Sequence, residues 1–206
     1  MSNELTPQQL EEDSHWWFAS RTRALMGLLD GELADSNLRV LDVGCGAGNM
    51  IHHLSRYGTV VGIDNNSIPL EVAHRRGYDA RRADAERLPF EEGKFDLVTA
   101  LDVVEHCDDD LQILRECHRV CRDDGLLAVT VPAYEWLWSN NDAVNAHKRR
   151  YSRAELESKL AEAGFQTLRM TFNNFFVVLV NQFLTEIMRR LKQNIVINNI
   201  FKSLQQ

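Results

Sequence analysis

The stretch from Val40 to Asn49, V-L-D-V-G-C-G-A-G-N, constrains this chain more than any other. Val40, Leu41 and Val43 favour a strand, Gly44, Gly46 and Gly48 stand at alternate positions, and an apolar pattern of helical spacing follows at once. That order spells a strand, a tight turn and a helix start. Glycines suit such a turn because its backbone reaches positive φ and lets a ligand approach the peptide N–H groups. Asp42 adds a fixed carboxylate where the strand ends.

The same alternation continues along the chain. A helix is predicted over Met50–Arg56, a strand over Thr59–Ile63 ending at Asp64, a helix capped by Ser67 and stopped at Gly77, and a short strand over Asp79–Ala83 leading to Asp84 and Ala85. Phe95–Leu101 is a near-continuous apolar run, as a parallel strand covered on both faces requires, and it ends at Asp102. Asp108, Asp109 and Asp110 cap a helix with Leu111, Leu114 and Cys117 on its stripe, and Leu126–Val131 reads as a fifth strand. Ser152 with Glu155 starts another helix, and Phe165–Phe172 reads as a sixth strand. The fold class predicted is α/β: a Rossmann-like, doubly wound, mostly parallel sheet with helices on both faces. Its ligand crevice lies at the carboxyl ends of the strands, where Gly44, Asp64, Asp84 and Asp102 fall. Asp64 lies 22 positions beyond Asp42, about the spacing at which a dinucleotide fold places the acid that accepts ribose hydroxyls. A nicotinamide-dependent oxidoreductase would want a third glycine five residues after the first, and Asn49 stands there.

With 206 residues and 44% hydrophobic content, one domain over 1–206 is expected, large enough for a core without disulfides. It divides into an N-terminal helical cap (1–36), a cofactor-binding core (37–131), a lid (132–151) and C-terminal helices with the sheet edge (152–206). Thirty acidic against 23 basic side chains, a net charge of −7, argue against a nucleic-acid binder. Cys45, Cys107, Cys117 and Cys121 lack secreted-type pairing, so a reduced, cytoplasmic protein is expected. Zinc on Cys117, His118 and Cys121 lacks a second chelating pair. No stretch of about 18 apolar residues suggests a membrane span.

The segment L-D-V-G-C-G-A-G-N resembles the first motif of class I S-adenosylmethionine (SAM) dependent methyltransferases. Together with Asp64, A-D-A at Asp84 and L-D-V-V-E-H from Leu101, the likeness runs from about His15 to about Thr171 and is greatest to the ubiquinone-biosynthesis-like (type 11) subgroup. It implies SAM as cofactor and S-adenosylhomocysteine (SAH) as product. By motif position it implies contacts to SAM from Asp42, Gly44, Cys45, Gly46, Gly48, Asp64, Asn65, Asp84, Ala85 and Leu101, with Asp84 at the adenine amine. It also implies an aromatic-arginine segment, H-W-W-F-A-S-R, closing over the cofactor, with Arg21 on the methionine carboxylate. Arg21 shares a predicted helix face with Trp17, Ala24 and Leu28, in a cap opened by Thr6-Pro7 and running to about Leu33. Asp102, Glu105 and His106 resemble the cluster with which some quinone O-methyltransferases hold a metal, although relatives without metal carry the same letters.

Pro132–Tyr151 is long and rich in aromatic and ionisable groups, and is expected to form a lid over a small-molecule acceptor. Tyr134, Trp136 and Trp138 offer apolar walls, Arg149 and Arg150 a counter-charge, and His147 a base. The structural alternative is that the tryptophans pack the loop and the arginines pair with Asp142 or Glu155. Past Asn173 an apolar helix is expected to pack, dimerise or dock at a membrane interface through 173–192, with Ile195–Ile197 the remaining strand-like run in place of a closing seventh strand. Two activities therefore stand: methyl transfer to a small-molecule, lipid or quinone-like acceptor, or SAM/SAH binding without turnover.

Overall fold

Strand β1 (Leu38–Val43) is buried at five of its six residues, which requires strands on either side and cover on both faces. The computed structural model describes residues 15–33 and 37–173. In it β1 lies at the centre of a five-stranded sheet of order β3-β2-β1-β4-β5, every neighbouring pair parallel. The partners are β2 (Gly58–Asp64), β3 (Ala80–Arg82), β4 (Phe95–Leu101) and β5 (Cys121–Thr130). Successive side chains point to opposite faces, so each strand feeds two cores. Val40, Val60 and Leu97 pack with α1 (Trp16–Glu32), α2 (Asn49–Leu54) and α3 (Ser67–Arg75) through Leu25, Leu29, Ile51, Leu54, Leu70 and Ala73. Leu41, Ile63 and Val98 pack on the other side with α4 (Asp110–Val120) and, beyond the short α5 (Asn140–Val144), with α6 (Arg153–Glu162), through Ile113, Leu114, Cys117, Leu156 and Leu160. The strand order reverses between β1 and β4, and a crevice opens there at the carboxyl ends. The sheet, its helices and the site belong to one compact unit ending at Met170.

Four expectations are corrected. The core face of α1 carries Thr22, Leu25, Met26 and Leu29; Ala24 is exposed and Leu28 half-buried, so the packed stripe is displaced from the one read in the sequence. Asn66, not Ser67, caps α3, because its side chain accepts the Ile68 N–H at 3.0 Å. β5 starts at Cys121, directly at the end of α4, and not at Leu126: Phe95 pairs with Cys121 and Leu97 with Leu126, so the intervening residues form a bulge. The sixth strand over Phe165–Phe172 is absent: residues 165–172 carry no ladder, although Phe165 and Met170 touch the core. Alternating apolar residues fit a half-buried surface whether or not a neighbouring backbone pairs with them.

The Thr6-Pro7 helix start, the side chain of Trp17 and everything from residue 174, including the apolar helix and Ile195–Ile197, lie outside the described residues. Among the described residues no helix is long and apolar enough to cross a membrane.

Candidate active site

The turn after β1 holds Gly44, Gly46 and Gly48 at φ of 71°, 52° and 83°. A Cβ on Gly44 would stand 2.3 Å from Val103 Cγ2, so here the turn touches the segment after β4. At Gly46 a Cβ would meet nothing within 4 Å, because that position faces the open crevice. Asp64, at the end of β2, fixes the turn: its Oδ2 accepts the Gly46 N–H at 2.9 Å and its Oδ1 the Asn66 N–H at 2.8 Å. The Asp64 carbonyl accepts the Ala83 N–H at 3.0 Å, which sets Asp84 and Ala85 beside it at the end of β3. Asp84 is exposed and accepts the Glu86 N–H at 2.9 Å, while Asn65 is exposed and its carbonyl takes Arg82 Nε at 3.2 Å. Cys45 is buried under the turn, its thiol pushed up to about 12 by burial and the nearby acids, and Leu101 is half-buried at the end of β4. Asp42 is 2% exposed; Oδ1 accepts Thr99 Oγ1 at 2.7 Å and Oδ2 has no partner. Burial raises its pKa to about 7 against the opposing Thr99 hydrogen bond.

Arg21 reaches the crevice from α1, but its Nη1 is bonded to Asp102 Oδ2. Asp102 takes up φ of 56° past β4, and its Oδ1 accepts Thr130 Oγ1 at 2.8 Å. The trio Asp102, Glu105 and His106 is therefore not what the fold assembles. Glu105 and His106 sit in the 3-10 turn Val104–His106, and His147 joins them instead. Their donor atoms all lie within 4.8 Å of one another, the one such grouping among the described residues; Cys117, His118 and Cys121 form none. Glu105 is fully buried, neither of its oxygens has a hydrogen-bond partner among the described residues, and burial raises its pKa to about 7 against the opposing charge of Arg21. His106 is lowered by burial and by His147, whose ring stands edge-on at 4.9 Å.

His147 arrives by a local device. Helix α5 ends in a Schellman turn, with Ala146 at φ of 56°, its N–H on Ala143 O at 3.1 Å, and the His147 N–H on Asp142 O at 2.9 Å. His147 Nδ1 lies 2.9 Å from Asp142 Oδ1 and Nε2 lies 4.0 Å from Glu105 Oε1. Asp142 is 1% exposed, and Arg150 grips both its oxygens, at 2.8 and 2.9 Å. Arg149 is engaged too, with Asp110 at 3.0 Å and the carbonyls of Cys107 and Asp108. The two guanidiniums thus hold the loop itself, and for Arg150 this is the pairing with Asp142 given above as the structural alternative. Tyr134, at φ of 56°, stacks on the exposed Trp136 with centroids 5.8 Å apart, and Trp138 is 39% exposed. The loop's ends are tied by Tyr134 N–H to Tyr151 O at 2.8 Å and Tyr151 N–H to Pro132 O at 2.9 Å.

Sequence reasoning treated Asp142 only as a surface partner for arginine and missed its bond to His147. The signal was partial. S-N-N-D, an acid three residues after serine, marks a helix start at Ser139, but nothing in N-A-H announces that an alanine adopts the left-handed conformation that turns His147 back.

A family model described as a methyltransferase domain matches residues 41–129, the span from β1 to β5. A ubiquinone biosynthesis O-methyltransferase of Hahella chejuensis is 35% identical over 132 residues, 56% of this chain and 56% of that protein. A Mycobacterium tuberculosis protein named "Probable S-adenosylmethionine-dependent methyltransferase" is 31% identical over 136 residues, 64% of this chain and 50% of that protein. The chain thus spans about half the length of these curated relatives. The YcgJ protein of Bacillus subtilis superposes with a TM-score of 0.63 at 24% identity, over 71% of this chain and 70% of that one, a likeness of fold. In its sheet, its glycine turn and these matches over residues 41–129, the chain is similar to the class I SAM-dependent methyltransferases.

Proposed function

We propose that this protein transfers the methyl group of SAM to a hydroxyl of a small-molecule acceptor of lipid or quinone-like type. The observation that carries the reading is His147, held through Nδ1 by Asp142, with Nε2 turned toward the buried Glu105. The crevice fits the cofactor on its own evidence: open space at Gly46, a buried and unpartnered Asp42 Oδ2, and Asp64 already bonded to the glycine turn. Gly44, Gly46 and Gly48 would line its methionine side, Asp64 the ribose and Asp84 the adenine amine. When bound, SAM supplies a methyl activated by its sulfonium, so the protein has mainly to align the acceptor and exclude water. Arg21, engaged by Asp102, brings α1 over the crevice mouth. His147 Nε2 accepts the hydroxyl proton as the acceptor oxygen becomes nucleophilic, a role that suits an imidazole near neutral pH. Tyr134 and Trp138 offer the acceptor apolar surface. The O-methyltransferase name of the Hahella relative supports a hydroxyl acceptor.

The test is transfer of label from SAM to a panel of quinol, lipid and small phenolic acceptors. His147→Ala should lower turnover at least 100-fold while leaving SAH affinity within about twofold, as removal of a general base does. Tight SAH binding with no turnover on any acceptor would favour the binding protein without catalysis.

A further inference from the structure

We propose that Asp142 is the positioning residue of this site: it fixes the tautomer and direction of His147 so that Nε2 carries the lone pair facing Glu105. The proposal rests on the reading above that His147 takes the acceptor's proton.

Asp142 collects five donors in a buried position. Oδ1 takes Arg150 Nε at 2.8 Å and lies 2.9 Å from His147 Nδ1; Oδ2 takes Arg150 Nη2 at 2.9 Å, the Ser139 N–H at 2.8 Å and Ser139 Oγ at 3.0 Å. Burial alone would raise its pKa, but the bonds from Arg150, His147 and Ser139 hold it far below the usual carboxylate range. An ionised carboxylate only accepts, so the ring nitrogen facing it carries the hydrogen, and the other nitrogen is left as the base. The two-toothed Arg150 grip stops the carboxylate rotating away, and the pair is neutral overall, so the imidazole need not be charged to satisfy it. Backbone geometry enforces the match: the residues joined through side chains are also joined through His147 N–H to Asp142 O, on either side of Ala146. If Asp142 served only to start α5, its two bonds to Ser139 would suffice, and the ring contact would be unnecessary.

Asp142→Asn keeps the volume but can present an N–H to the ring and so favours the opposite tautomer. With the purified chain and an acceptor it turns over, we expect kcat to fall about 100-fold or more, with KM and SAH affinity within about twofold of wild type. In a His147→Ala background the same change should cost nothing further, because residues acting as one unit lose their effect together. Undiminished kcat in Asp142→Asn, with His147→Ala inactive, overturns the positioning role alone; losses that multiply in the double variant do so as well. Full activity in His147→Ala overturns the base role and, with it, this one. A measurement independent of folding variants is the long-range ¹H–¹⁵N spectrum of the wild type, with His147 identified by its disappearance in His147→Ala. A protonated Nδ1 and bare Nε2 are expected, and the reverse pattern refutes the proposal.

Discussion

Asp64→Ala removes one carboxylate that anchors the glycine turn of the free protein and, in the function proposed above, accepts the cofactor's ribose; the two losses can be separated. In the free protein it releases the Gly46 and Asn66 N–H groups, bonded at 2.9 and 2.8 Å. A hydrogen bond to a charged acceptor contributes about 1.5–3 kcal/mol when buried. The Asn66 bond is exposed and the Gly46 bond half-buried, so both donors regain water, and a total of about 1 kcal/mol is expected, or about 2–4 °C in Tm. In the complex two ribose hydroxyls lose their acceptor, about 1–3 kcal/mol, and a turn no longer anchored at Gly46 must be ordered by the ligand. Taken together, SAH should bind about 2–3 kcal/mol more weakly, roughly 30- to 150-fold. Calorimetric titration with SAH gives the affinity, and melting with and without SAH separates it from the loss of fold, since bound ligand raises Tm only as its affinity allows. A variant that melts within a few degrees of wild type and binds SAH within threefold would refute the ribose assignment.

Gly46→Ala places a methyl in open crevice space at φ of 52°, so it should fold with a loss of about 1 kcal/mol yet weaken SAH binding at least tenfold by titration; unchanged affinity would show that the crevice is not the cofactor's. Ala146→Gly relieves the left-handed strain at φ of 56° and should stabilise the protein by about 1 kcal/mol in denaturant unfolding, with turnover preserved. Glu105→Gln tests the bare acid through pH. Its folded pKa is raised from 4.5 to about 7, so its contribution to stability is full below the unfolded pKa and lost as pH rises through about 7. The variant should therefore gain about 1–3 kcal/mol relative to wild type between pH 5 and pH 8, and a difference independent of pH would refute the buried, unpaired assignment.

The parts of the fold legible in the sequence were those set by local chemistry. β4 matches the apolar run at both ends because Lys94 and Asp102 bound it, and the glycine turn and strand-end acids stand where their spacing put them. The face of α1 was misread because Ala24, Leu25, Met26, Leu28 and Leu29 spread apolar side chains over a wide arc, and only packing on the sheet selects among them. The sixth strand failed for the related reason that a ladder needs a partner the residues themselves do not name. Within the site, single acids could be placed, but pairings between distant ones could not: Arg21 was assigned to a ligand carboxylate and found Asp102, 81 positions away.

The loop from Pro132 to Tyr151 shows how those distant pairings shape function. A buried acid stabilises only when its lone pairs are met; otherwise desolvation outweighs the attraction. Two buried acids at this loop are fully met. Asp142 is met as described above, and Asp110 by Tyr151 Oη at 2.9 Å, Lys159 Nζ at 2.9 Å and Arg149 at 3.0 Å, which holds it below the usual carboxylate range despite burial. Each thereby pins one end of the segment that carries His147, so the imidazole is ordered before any acceptor arrives. Glu105 lies 4.0 Å from that ring, equally buried, and neither of its oxygens has a hydrogen-bond partner among the described residues. Burial without such bonds raises its pKa to about 7, so near neutral pH Glu105 costs stability that Asp142 and Asp110 do not.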